Sequence, residues 1–220
     1  MNGVFLYFMS GHTNMWDFFT EKFPVKVRSI EGDSKIWNAL NYHLEKDIRG
    51  AGQGALSAAK CYRTHWKMHE VYDSFSLLNS AILDFAKKFP IASRTDEQGN
   101  PEEVPMKVLE SWGLIYKKGD STDLHSHWPA LWSYCYCVKS CENCTPLSFP
   151  TAEGVSMAIT SVTAEGVSIE IDKLSQLSDG LVSHKAGQII LWPAWLTHKV
   201  SEQECDHDRI VVSGSIYTDF

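Results

Sequence analysis

Two periodicities divide the chain. Up to about residue 110, apolar positions recur at steps of three and four, the repeat of helices with one buried face. Ile36, Trp37, Leu40 and Leu44 share such a face, and Asp33-Ser34 can cap their helix. Phe75, Leu78, Ile82 and Phe85 repeat the pattern after Asp73-Ser74, and Pro90 stops that second helix. Between them lie the flexible run Gly50-Ala51-Gly52-Gln53-Gly54 and an aromatic segment from Tyr62 to Tyr72. A polar, turn-rich stretch from Arg94 to Glu103 links this part to the rest. The apolar start, Met1 to Met9, reads as an edge or core strand.

From Ser111 onward the texture changes to short β-type runs separated by turn residues. The clearest are Trp112–Tyr116, Leu131–Val138, Val155–Thr160, Val167–Ile171, Gln188–Trp192 and Arg209–Tyr217. Strands this short and this frequent fit a sandwich, jelly roll or barrel. The hexapeptide Thr-Ala-Glu-Gly-Val-Ser occurs at 151–156 and again at 163–168, too few copies for a solenoid and enough for a duplicated hairpin unit. The expectation is an α+β chain with a mainly β core. Residues 1–220 form a single domain, with a mainly helical support over 1–110 and the β core over 111–220.

Composition narrows the function classes. A chain of 220 residues with 44% hydrophobic and 21% charged residues can bury its own core, which excludes a disordered or collagen-like chain. The net charge of −7 argues against whole-surface attraction to nucleic acid, although Lys117-Lys118 leaves a local basic spot. No apolar run reaches a membrane span, and the first residues lack a basic segment and a cleavage site, so the reading is cytoplasmic. On that reading the six cysteines are reduced thiols. Cys141-x-x-Cys144 has the spacing of half a zinc site, but Cys135 and Cys137 fall on a strand, so the expectation is buried or free thiols, with an exposed redox pair at 141/144 as the alternative.

Of nine histidines, His12, His43, His184 and His207 sit in polar or mixed surroundings and read as solvated. His65 and His69 have a helical spacing, but Trp66 stands where the zinc-protease motif needs glutamate. His125-Ser126-His127 differs, because residues two apart on an extended strand aim at one spot. His198 follows Trp192-Pro193-Ala194-Trp195-Leu196-Thr197, and Arg209, Val211 and Ser213 share a face by strand parity. A jelly roll can bring these remote strands to one mouth. Three imidazoles suit a transition metal, and a lone guanidinium with a hydroxyl beside it suits a carboxylate. The aromatic residues Trp128, Trp132, Tyr134, Tyr136, Trp192 and Trp195 read as core and mouth lining.

The ordered pattern Tyr116-x-x-Gly119-Asp120-x-x-x-x-His125-x-His127, Trp192-Pro-Ala-Trp-Leu-Thr-His198 and Arg209-x-x-x-Ser213 resembles the 2-oxoglutarate/Fe(II)-dependent oxygenases. It is most similar to small phage and bacterial members of the prolyl-hydroxylase-like branch, over residues 110–217, and Arg63 to His69 resembles the amino-terminal part of phage members. The resemblance implies a double-stranded β-helix, a cupin-like jelly roll, with amino-terminal helices packed against it. It implies Fe(II), 2-oxoglutarate and O2, with ascorbate as reductant, and hydroxylation of a C–H bond coupled to release of succinate and CO2. His125 and His198 match metal ligands. His127 stands where most of the superfamily has a carboxylate, and is favoured as the third ligand over a turned-in Asp120 or Asp123. Arg209 matches the residue that pairs with the far carboxylate of 2-oxoglutarate, with Ser213, Tyr116 and Tyr134 placed beside the cosubstrate. Partners would be small molecules or protein side chains, in the host cytoplasm if the source is a phage. Competing readings are a non-enzymatic jelly-roll binding module and a three-histidine dioxygenase that does not use 2-oxoglutarate.

Overall fold

Both helical periodicities become helices, the second burying its whole expected stripe and the first only part of it. In the computed structural model, which describes residues 26–29, 35–55, 57–89, 93–95, 98, 101–150, 158–159, 181–182 and 185–218, α1 spans Lys35–Gly50 and α2 spans Asp73–Ala86. In α1 the buried residues are Leu40, Leu44 and Ile48, whereas Ile36 is exposed at the first turn. In α2, Phe75, Leu78, Ile82 and Phe85 are all buried. Ser74 does not cap α2; its hydroxyl donates to Asp47 Oδ2 at 2.6 Å and ties the two helices together. A single 3-10 turn, Met68–Glu70, precedes α2, so His65 and His69 are not on a shared helix.

The strands in chain order are β1 (Lys26–Ser29), β2 (Ala59–Lys60), β3 (Tyr62–Arg63), β4 (Ser93–Thr95), β5 (Pro101–Glu103), β6 (Met106–Tyr116), β7 (Ser121–His125), β8 (Trp132–Lys139), β9 (Leu147–Ser148), β10 (Ala158–Ile159), β11 (Leu181–Val182), β12 (Gln188–Pro193), β13 (His198–Val200) and β14 (Arg209–Thr218). The larger sheet runs β10-β1-β12-β8-β14-β6-β3 and the smaller one β11-β9-β13-β7-β2, with β4 and β5 as a separate hairpin. Every pairing is antiparallel except β1 with β10. Two antiparallel sheets whose inner faces share one cluster, with strands far apart in sequence as neighbours, make a double-stranded β-helix. The segment before residue 110 contributes α1 and α2 and also strands to both sheets, and β6 starts at Met106, earlier than Trp112.

Alternation along the larger sheet separates two environments. On its outer face, Trp132, Tyr134, Tyr136, Ile189, Ile210 and Val212 pack against α1 and α2. Gly113 lets α1 come close, because a Cβ there would overlap the Ile48 side chain. On the inner face, Trp112, Leu114, Cys135, Ile190, Trp192 and Val211 meet Leu147, Val182 and Val200 from the smaller sheet. Between these inner faces the packing opens into the cavity described below. The repeated hexapeptide, the run Val167–Ile171 and the Met1–Met9 segment lie outside the described residues. No helix among the described residues is long and apolar enough to cross a membrane.

Candidate metal and keto-acid site

His125 closes β7 and His198 opens β13, and the two residues are paired across the ladder. Their separation is therefore set by backbone hydrogen bonding, with ring centroids 4.3 Å apart. His127 arrives differently. The strand ends at His125, and the His127 N–H donates to the Ala194 carbonyl at 2.8 Å, which holds the residue against the turn after β12. Its ring stacks on that of His198 at 5.0 Å and 14°, and the two Nε2 atoms are 3.3 Å apart. One ligand atom from each histidine falls within 4.8 Å of the others.

The opposite ring nitrogens are already engaged. His125 Nδ1 donates to the Asp123 carbonyl at 2.8 Å and His198 Nδ1 to the Leu196 carbonyl at 3.1 Å. A carbonyl can only accept, so these bonds fix the proton on Nδ1 and leave the Nε2 lone pair for the centre. His127 Nδ1 lies 3.4 Å from Ser215 Oγ, which leaves its Nε2 inward as well. Burial lowers the affinity of all three rings for a proton: His127 is pushed down to about 3 by desolvation and then by the neighbouring His125, and His198 falls well below the usual range. Neutral rings with free lone pairs are the form a metal binds. The donor set fits a divalent transition ion.

Arg209 begins β14 opposite Tyr116 and is almost fully buried. Its Nη1 donates to the Thr145 carbonyl at 2.9 Å, and its guanidinium carbon lies 4.9 Å from the Tyr116 ring centre. Tyr116 OH is 2.7 Å from Thr122 Oγ1 on β7, so this phenol braces one sheet against the other. Arg209, Val211 and Ser213 line the same cavity as the three histidines, a space of about 200 Å³. No aspartate or glutamate lines it among the described residues. A buried guanidinium at an acid-free wall fits the carboxylate of a small dianion.

The structure moves one expected residue away. Tyr134 is not at the cavity: on β8 it faces the helices, where its OH donates to Asn79 Oδ1 at 2.7 Å and lies 3.0 Å from Ser111 Oγ. Strand parity explains this, since its neighbour Cys135 takes the cavity side. Both carboxylates considered as a replacement ligand are occupied elsewhere. Asp120 Oδ2 accepts from the Lys117 N–H at 2.8 Å, and Asp123 Oδ1 pairs with Lys60 Nζ at 2.8 Å. One residue escaped the reading of the sequence. Arg63, buried on β3, lines the cavity with its guanidinium 3.7 Å over the Trp66 ring, and its Nη groups donate to the Thr64 and Ala55 carbonyls. Its segment, Arg63 to His69, carried a resemblance to phage members, but nothing in it set Arg63 apart as a cavity residue.

Residues 110–214 match the family described as Putative 2OG-Fe(II) oxygenase. That match, over just under half of the chain, and the fold together indicate a 2-oxoglutarate/Fe(II)-dependent oxygenase. No curated protein sequence matches it. Among solved structures, the chain resembles a prolyl-4-hydroxylase from Pseudomonas putida, with a TM-score of 0.57 at 13% identity over 92% of this chain and 96% of that one. It also resembles the viral collagen prolyl hydroxylase of Paramecium Bursaria Chlorella virus-1, with a TM-score of 0.53 at 12% identity over 88% of this chain and 96% of the other. HygX of Streptomyces hygroscopicus, solved with nickel, 2-oxoglutarate and hygromycin B, gives 0.57 at 12% identity over 95% and 88%. At these identities the likeness establishes the double-stranded β-helix. The chemistry rests on the family match and takes precedence over the binding-module and cosubstrate-independent readings.

Proposed function

We propose that this oxygenase is a hydroxylase whose metal is held by His125, His127 and His198 and whose 2-oxoglutarate is held by Arg209. The observation that carries the reading is the convergence of three imidazoles, two of them fixed by backbone carbonyls, and one buried guanidinium on a single cavity without acidic lining among the described residues. Bound iron supplies the activation of O2, with 2-oxoglutarate leaving as succinate and CO2 and the substrate C–H bond becoming C–OH. The protein's part is placement. The Asp123 and Leu196 carbonyls aim two rings, the Ala194 carbonyl seats the third, and Arg209 orients the keto acid from its far end, with Ser213 alongside. Trp192, buried at 4.8 Å from the His198 ring, walls off water.

A histidine in place of a carboxylate has an electrostatic consequence. Three neutral imidazoles offset none of a dication's charge, so the dianionic keto acid must do so, and metal and cosubstrate bind cooperatively. Arg63 adds a further positive charge to the cavity wall, without an ion pair among the described residues. This favours a substrate with an anionic group, either a small molecule or a side chain. A cavity of about 200 Å³ is small beside the ~300–1,000 Å³ of drug-sized sites, so the substrate approaches at the mouth. A cytoplasmic setting without a nucleic-acid or membrane partner is consistent with the acidic net charge of −7.

The test is O2-dependent succinate release with Fe(II), 2-oxoglutarate and ascorbate, alongside calorimetry of metal binding. With metal titrated in the absence of keto acid, His198→Ala should lose the metal, whereas Arg209→Ala should keep it and lose the keto acid. Unchanged metal affinity in the first variant, or unchanged 2-oxoglutarate affinity in the second, refutes the assignment.

A further inference from the structure

At the end of the sheet beyond Arg209, three cysteines from two distant segments meet. Cys141 and Cys144 follow β8, and Cys205 precedes β14. Their sulfur atoms are 3.3, 3.5 and 3.6 Å apart pairwise, and none is in a disulfide. Tetrahedral zinc with Zn–S bonds of ~2.3 Å would set thiolates about 3.8 Å apart, close to this arrangement. The Cys141-Glu142-Asn143-Cys144 turn is built for it: Cys144 N–H donates to the Cys141 carbonyl at 3.1 Å, and Cys141 N–H points at Cys144 Sγ at 3.2 Å. Gln203 Nε2 donates to Cys205 Sγ at 2.9 Å. N–H groups aimed at sulfur stabilise the thiolate form that a metal needs.

We propose that Cys141, Cys144 and Cys205 bind a structural Zn²⁺, with the fourth position taken by water or by His207, which lines the same cleft. Each thiol gives up its proton as the ion binds, and the ion joins segments 61 and 64 residues apart. The sequence pointed only to the first pair, because nothing in its spacing placed Cys205 beside it.

The clip bears on the catalytic cavity. Thr145, next after Cys144, offers the carbonyl that Arg209 bonds, and its own N–H donates to Gln203 Oε1 at 2.9 Å. Its hydroxyl donates to the Glu202 carbonyl at 3.0 Å. The zinc thus fixes the loop that fixes Arg209, and these cysteines are positioning residues for the keto acid. This second step rests on the role proposed for Arg209, whereas the metal site itself does not.

The two are separable by experiment. Protein with His125→Ala, His127→Ala and His198→Ala, reconstituted with Zn²⁺ alone, should retain one zinc per chain by elemental analysis. Adding Cys205→Ser or Cys141→Ser should remove it, while Cys61→Ser should not. Cobalt(II) in place of zinc should give thiolate-to-metal charge-transfer absorption in the same pattern. If a serine variant fails to fold, thiol titration of the parent decides: a chelator should make three further cysteines reactive. Absence of zinc in the histidine variant, or no change in thiol reactivity with chelator, overturns the site. In protein with all three histidines intact and Fe(II) supplied, Cys205→Ser should raise the KM for 2-oxoglutarate about 10-fold with a smaller change in kcat. Zinc loss without a KM change overturns the link to Arg209 and leaves the metal site standing.

Discussion

The two faces of the larger sheet are made by alternate residues of the same strands, yet they follow opposite rules. On β8, Tyr134 and Tyr136 point at the helices and have their hydroxyls bonded to Asn79 and Asn41, while Cys135 between them looks into the cavity. On β14, Ile210 and Val212 are packed shut, whereas Arg209, Val211 and Ser213 border empty space. One face spends large side chains on filling volume. The other mixes large side chains such as Trp112 and Trp192 with Cys135, Val211 and Ser213, and leaves a cavity bordered by polar groups. Stability and chemistry are thus divided by the pleat, and substitutions on the two sides should have different readouts.

The sharpest division comes from Phe75, buried in the helix-side core, where Phe75→Ala should cost about 3–5 kcal/mol in denaturant unfolding. Whatever fraction remains folded should keep its 2-oxoglutarate affinity, and a lost affinity would show that the faces are coupled. On the cavity side, Arg209→Ala should weaken 2-oxoglutarate binding by about 2–5 kcal/mol in calorimetry while metal binding persists. Tyr134→Phe tests the corrected placement most directly. It removes the donor to Asn79, so it should lower stability by about 1 kcal/mol and leave the KM for 2-oxoglutarate unchanged. A raised KM would return this tyrosine to the cosubstrate.

Acid gives the smallest effect near neutrality. The site histidines hold protons more weakly in the fold than in the unfolded chain, where the ordinary value is ~6.5. The unfolded state therefore gains protons that the folded state refuses. Metal-free stability should be insensitive to these groups above about pH 6.5 and decline as pH falls toward 3, the value to which His127 is pushed. Thermal unfolding from pH 7.5 to 5 would read this, and His127→Asn should flatten the decline.

Legibility in the sequence followed how local each signal was. The α2 stripe Phe75, Leu78, Ile82 and Phe85 was readable because a helix's face depends only on its own period. Arg209 and Ser213 shared a face as parity required. Parity also assigned His127, yet the strand stops at His125, and a bond to the Ala194 carbonyl does the work instead. Tyr134 was misplaced because an aromatic near a site in sequence carries no label for which side of the sheet it occupies. Arg63 and Cys205 depend on contacts with remote strands, and no periodicity announces those.

The unequal mounting of the three imidazoles has a mechanical outcome. Two of them face each other across one ladder and cannot change their spacing without disturbing it, while the third sits beyond the strand end, held by turn bonds and a side-chain contact to Ser215. As the proposed ligands of a metal, two stiff supports and one compliant one would tolerate ions of unequal radius and should exchange the ion through the compliant side.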